Sequence, residues 1–130
     1  MELTTIQTVI ATVRDPSHPT AQALADLPKA AGSSIIALKY DAGSENGAAE
    51  AIAHLKAEHS VDRLDIVIAN AGISKVWPSV KDVKWSEIVE HVEVNVLGVV
   101  ALYQATRELL QKSTGKPVFA PVGSGAGSLG

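Results

Sequence analysis

The chain contains no cysteine, which removes disulfide scaffolds and thiolate metal sites and fits a reducing intracellular setting. It also lacks any Lys/Arg run. Eleven basic residues are scattered among fourteen acidic ones, for a formal net charge of -3, so a nucleic-acid partner is not expected. Long apolar runs are missing too. The most apolar stretch, Val94 to Leu102, is interrupted by Asn95 and Gly98 and falls far short of the roughly 20 residues that cross a bilayer, so no membrane partner is expected. Met1-Glu2-Leu3-Thr4 has neither the basic segment nor the cleavage pattern of a signal peptide, which makes the cytoplasm the expected location. His18, His54, His59 and His91 share no metal-ligand spacing, and no metal is expected.

What is present fits one globular domain over residues 1–130. Of the 130 residues 46% are apolar and 19% charged, and the mean hydropathy is positive, unlike a disordered chain. The β-branched run Thr8 to Val13 reads as a buried strand closed by Arg14-Asp15-Pro16. Ala21, Leu24, Ala25 and Leu27 return at helical spacing between Thr20 and Ala30, with Pro28 and Gly32 at the exit. Ile35-Ile36-Ala37-Leu38 predicts a second strand, leading into Tyr40-Asp41-Ala42-Gly43. Ser44 offers an N-cap for an amphipathic helix from Glu45 to His59, whose Ala48, Ile52, Leu55 and His59 share a face.

The next strand, Leu64-Asp65-Ile66-Val67-Ile68-Ala69, is almost entirely apolar, the pattern of a parallel strand covered on both faces, and it breaks at Asn70-Ala71-Gly72. A long helix is expected from about Lys84 to Lys112, with Glu87, Glu90 and Glu93 on a solvated face. Val118 to Val122 reads as a last strand despite Pro121, followed by a Gly/Ser tail from Gly123 to Gly130. Strands alternating with helices imply βαβ units and an α/β fold with a parallel sheet. Sites in such sheets lie beyond the carboxyl ends of the strands. That directs attention to Arg14, Asp41, Asn70 to Ser74, and Ser124.

The order of those residues carries a resemblance. Arg14 follows a first strand, Asp41 a second and Asn70-Ala71-Gly72 a third; Asn95 lies in VEVNVLG within the long helix, and Ser124 opens a Ser-Gly-Ala-Gly pattern. Together they resemble the short-chain dehydrogenase/reductase family. The segments ATVRDPS, IANAGIS and ALYQATRELLQ are most similar to ketoreductases of fungal polyketide pathways, of the norsolorinic acid ketoreductase type. The resemblance implies a partial Rossmann-like, doubly wound parallel sheet lacking the family's first strand and C-terminal part. No GxxxGxG turn precedes the first strand and no Tyr-x-x-x-Lys occurs in the chain, so it is expected to be inactive alone.

By that resemblance Arg14 would meet the 2'-phosphate of NADP through its forked N–H donors, and Asp41 would accept from the adenine amino group. A solvated arginine in an Arg-Asp-Pro turn and a turn carboxylate are the alternatives. Asn70, Ala71 and Gly72 would line the cofactor ribose, where small residues allow close backbone approach. Asn95, set among Val92, Val94, Val96 and Leu97, needs a hydrogen-bond partner: the family's proton relay or an internal backbone bond. Ser124 would donate to a substrate carbonyl; otherwise it is a serine in a flexible tail. The implied activity is hydride transfer between NADP(H) and a small carbonyl or alcohol substrate, in secondary metabolism. The competing reading is a non-catalytic fragment that associates, as a homo-oligomer or otherwise, through an exposed sheet edge.

Overall fold

The computed structural model of the chain describes residues 7–127. The expected absence of a signal segment at Met1 to Thr4, and the last residues of the Gly/Ser tail, lie outside them. Two compact units are present, one within Met1–Asp41 and one within Ala42–Gly130.

In the first unit, β1 (Thr8–Val13) pairs in parallel with β2 (Ser34–Lys39), in register from Thr8 opposite Ser34 to Val13 opposite Lys39. The connection between them is less helical than its periodicity predicts. Only Pro19–Gln22 forms an α-turn, α1, which tightens into a 3-10 turn over Ala23–Asp26. Pro19 suits the first turn, where its missing N–H is not needed, and His18 caps the end by accepting from Thr20 N. The stop comes from Pro28. Its ring disfavours helical backbone in the residue before it, and Leu27 is extended, with φ -65° and ψ 140°.

In the second unit, α2 (Gly47–His59) begins after Asn46 rather than after Ser44, and no side chain caps it. Ser44 instead contributes its carbonyl oxygen, which accepts from Gly47 N. Gly47, Ala48, Ala51, Ile52 and Leu55 form the buried face, while His59 lies exposed beyond it with its ring edge-on to His54. Ser60 ends the helix in the left-handed region at φ 52°. The chain then forms β3 (Ile66–Ala69), paired in parallel with β4 (Val118–Pro121) from Ile66 opposite Val118 to Ala69 opposite Pro121. Val118 N donates to Asp65 O and Val122 N to Ala69 O. Even-numbered N–H groups of β4 therefore face β3, and Pro121 sits where its missing donor would point away from that ladder.

Between β3 and β4 runs one helical stretch of 27 residues: α3 (Trp85–Val92), a π-turn over Glu93–Leu97, and α4 (Gly98–Gln111). By length and composition it could cross a membrane, which the apolar stretch Val94 to Leu102 by itself could not. Its second half belongs to the core of this unit. Leu109 is 0% exposed, Thr106 and Leu110 are buried, and Leu55 of α2 is 1% exposed. Thr106 satisfies its hydroxyl by donating to Leu102 O at 2.7 Å, and Tyr103 meets Phe119 of β4 edge-to-face, with ring centroids 5.1 Å apart.

Two expectations are corrected. β3 is covered on one face only: Val67 and Ala69 are buried, whereas Ile66 and Ile68 are 63% and 61% exposed. Asn95 is itself exposed rather than enclosed by its apolar neighbours, because the π-turn places it along the helix surface facing the loop after β3.

Candidate functional site

In the first unit, the parallel register brings two candidate residues to one edge. Val13 stands opposite Lys39, and Tyr40 N donates to Val13 O at 2.9 Å. Arg14 and Asp41 leave the sheet from this carboxyl edge, and both are exposed. The exit of β1 is fixed by Asp15, whose carboxylate accepts from Ser17 N at 2.8 Å and from Ser17 Oγ at 2.6 Å. The Ser17 hydroxyl, followed by its backbone N–H, holds the Asp15 carboxyl below the usual carboxylate range.

In the second unit, β3 and β4 also end together. Asn70-Ala71-Gly72 continues from β3, and Ser124 lies two residues past Val122, whose N–H still bonds Ala69 O. Asn70, Ala71, Gly72 and Ser124 are all exposed. Ser124 O accepts from Gly127 N at 3.0 Å, closing a 3-10 turn over Gly125–Gly127.

The centre of this site is the join between the loop and the helix. Ile73 N donates to Asn95 Oδ1 at 2.8 Å, and Asn95 Nδ2 donates back to Ile73 O at 2.9 Å. A primary amide is the side chain that offers an acceptor and a donor at this spacing. The ladder at Asn95 is widened by one residue, with Gly98 N donating to Glu93 O. Such π-turns often sit at functional positions. A Cβ on Gly72 would come within 3.4 Å of Asn95 Oδ1, so this small residue lies directly against the amide.

Lys75, His91 and Glu90, which the sequence reading did not place in the site, join it. Lys75 N donates to His91 Nε2 at 3.2 Å, and Lys75 Nζ pairs with Glu90. His91 and Asn95 are four apart and so share a helix face, a signal the sequence contained. Nor are the acidic residues of α3 a merely solvated face: Glu87 accepts from Lys84 N at 2.9 Å, closing the first turn, and Glu90 holds the loop. Loop and helix enclose an open groove of about 380 Å³, lined by Val76, Pro78, Ile88, His91, Val92 and Asn95 among others.

The residues at these strand ends suit parts of a dinucleotide. Past one sheet edge Arg14 offers an exposed guanidinium and Asp41 an exposed carboxylate, and the exposed Asn70-Ala71-Gly72 segment carries little side chain. No GxxxGxG turn for the pyrophosphate occurs in the sequence.

Parallel strands with βα connections and residues gathered at the carboxyl ends define a Rossmann-like α/β protein. The chain belongs to the short chain dehydrogenase family, whose model matches residues 4–130. It is 37% identical over 118 residues to norsolorinic acid ketoreductase nor1 of Dothistroma septosporum, covering 90% of this chain and 44% of that protein. It is 40% identical over 124 residues to short chain dehydrogenase gsfK of Penicillium aethiopicum, covering 94% and 48%. Among solved structures, a 3-ketoacyl-ACP reductase from Sinorhizobium meliloti 1021 superimposes with a TM-score of 0.76 at 32% identity, over 90% of this chain and 44% of that one. A Burkholderia cenocepacia short chain dehydrogenase in complex with NADP gives 0.66 at 26% identity, over 78% and 40%. The chain thus spans about half the length of the curated relatives it matches.

Proposed function

We propose that these residues form part of one incomplete NAD(P)-binding domain, belonging to a reductase that moves hydride between NADP(H) and a small carbonyl or alcohol substrate. The observation that carries this reading is the paired bond between Asn95 and Ile73, because it fixes the loop after Asn70-Ala71-Gly72 against a π-turn in the helix. Relatives named norsolorinic acid ketoreductase support a ketone of polyketide type and a role in secondary metabolism.

The nicotinamide, when bound, supplies the hydride. The chain's own residues bind and orient. Arg14 pairs with the 2'-phosphate, selecting NADP(H) over NAD(H) by charge and by its forked donors, and Asp41 accepts from the adenine amino group. Asn70, Ala71 and Gly72 lie along the ribose. Ser124 donates its hydroxyl to the substrate carbonyl oxygen, and Asn95 supports the proton relay while holding the loop. The 130 residues contain no Tyr-x-x-x-Lys to act as general acid, so this polypeptide by itself does not turn over.

The test is an NMR titration of the isolated chain with NADPH and, separately, NADH, alongside an assay of NADPH oxidation with a ketone. Backbone shifts at residues 14, 41 and 70–72, larger for NADPH, together with no oxidation, are expected. Shifts confined to other residues would overturn the cofactor assignment, and turnover by this chain would overturn the division of parts.

A second reading has its own observation. Ile66 and Ile68 leave one face of β3 exposed, and among the described residues β3 pairs only with β4. An open strand edge with an apolar face recruits partners. On this reading the chain associates without nucleotide, and sedimentation would show mass rising with concentration.

A further inference from the structure

His91 makes two contacts that between them fix its protonation. Nδ1 lies 2.7 Å from Glu87 O, a carbonyl that can only accept. Nε2 lies 3.2 Å from Lys75 N, a backbone N–H that can only donate. One arrangement satisfies both: a neutral ring with its proton on Nδ1 and its lone pair on Nε2. A proton on Nε2 would set two donors against each other and break the bond to Lys75.

We infer that His91 is a proton-sensitive positioning residue. In the neutral state it clasps the loop that leaves Asn70-Ala71-Gly72, and protonation releases the main chain at Lys75, whose side chain stays paired with Glu90. Asn95 holds Ile73 by a group that does not titrate, so the release is local and leaves the first anchor in place. The charged groups around the ring are Glu87 and Glu90 on its own helix and Lys75 on the loop, which Glu90 pairs. The other walls of the groove at this point, Val76, Pro78, Val83 and Val92, carry no charge. Loss of the clasp therefore follows the charge on His91 itself. The clasp rests on this geometry alone; its bearing on cofactor use, by loosening the loop beside the ribose contacts, rests on the reading proposed above.

The experiment is NMR on the 15N-labelled chain from about pH 5 to 8, the range in which imidazoles change charge. Ring nitrogen shifts report the tautomer of His91, and hydrogen exchange, corrected for its intrinsic pH dependence, reports each amide. The expected result is the Nδ1–H tautomer above the His91 titration. Lys75 N–H should then exchange about 2- to 10-fold more slowly than in the protonated state, the worth of one hydrogen bond. Leu64 N–H, bonded to Leu109 O, should keep its protection throughout. H91Q, which keeps an acceptor that does not titrate, should make Lys75 protection independent of pH, and H91F should abolish it. An Nε2–H tautomer in the neutral protein, or Lys75 protection that ignores the His91 titration, would overturn the inference. Neither measurement involves nucleotide, so failure of the clasp and failure of the NADP(H) reading are told apart.

Discussion

Asn95 and Ile73 form a closed pair, the side-chain amide of one matched to both main-chain polar groups of the other at 2.8 and 2.9 Å. The pair ties the exit of β3 to the one place where the long helix departs from regular α geometry. Each bond contributes about 1 kcal/mol net, and N95L removes both. Its urea midpoint should correspond to a loss of about 1–2 kcal/mol, with faster exchange at the Ile73 amide. N95D keeps the acceptor but turns a carboxylate oxygen toward Ile73 O, so it should be no better than N95L. Wild-type stability in either variant would show that the pair does not hold the loop.

Gly98 gives a second prediction. A Cβ there would sit 2.5 Å from Ala42 O, backbone that cannot step aside cheaply. Alanine in a helix gains about 1 kcal/mol over glycine, whereas overpacking costs about 1–3 kcal/mol. G98A should therefore be destabilised on balance, and G98V more so. A thermal midpoint raised by G98A would mean that helix propensity outweighs the clash.

Ser60 works in the opposite direction. Its φ of 52° at the end of α2 costs a residue bearing a Cβ about 1–2 kcal/mol, a strain glycine does not carry. S60G should raise stability by about 0.5–1 kcal/mol, after allowing for glycine's greater freedom in the unfolded chain. S60V should lower it. Chemical denaturation of both variants decides the sign.

Arg14 tests the cofactor assignment more sharply than any other single residue. A charge-assisted bond to a phosphate is worth about 1.5–3 kcal/mol, so R14A should lose about tenfold or more of any preference for NADPH over NADH while leaving NADH binding unchanged. Equal loss for both nucleotides would place Arg14 outside the 2'-phosphate contact.

The parts of this molecule that the sequence announces are those where burial stamps a period on the chain. Thr8 to Val13 and Ile35 to Leu38 form strands where their patterns put them, although no residue of Thr8 to Val13 is buried as its run predicts, and Ala48, Ile52 and Leu55 form the buried face of α2. The misplaced boundaries come from local backbone rules: Pro28 acting on Leu27 ends α1 early, and Ser44 gives its carbonyl rather than its hydroxyl to α2. The π-turn could not be read from spacing, because it goes with bonds between Asn95 and a residue 22 positions away. For the same reason the Lys75 contacts to Glu90 and His91 depend on the path of a loop with no period of its own.

Tyr40 supplies a pH dependence. Its ring is buried at the end of β2, and burial first, then the neighbouring Asp41 carboxylate, pushes the phenol above its ordinary value of about 10. The folded chain thus holds this proton more tightly than the unfolded chain does. Below about pH 10 both states are protonated and Tyr40 adds no pH dependence. As pH rises through the ordinary value the unfolded state releases its proton first, so stability falls progressively up to the raised folded value. The comparison with Y40F isolates the contribution of this phenol. Urea midpoints at about pH 8 and pH 11 should show a smaller loss in Y40F than in the unmodified chain. If the two losses are the same, the folded phenol titrates as it does in the open chain, and neither burial nor Asp41 acts on it.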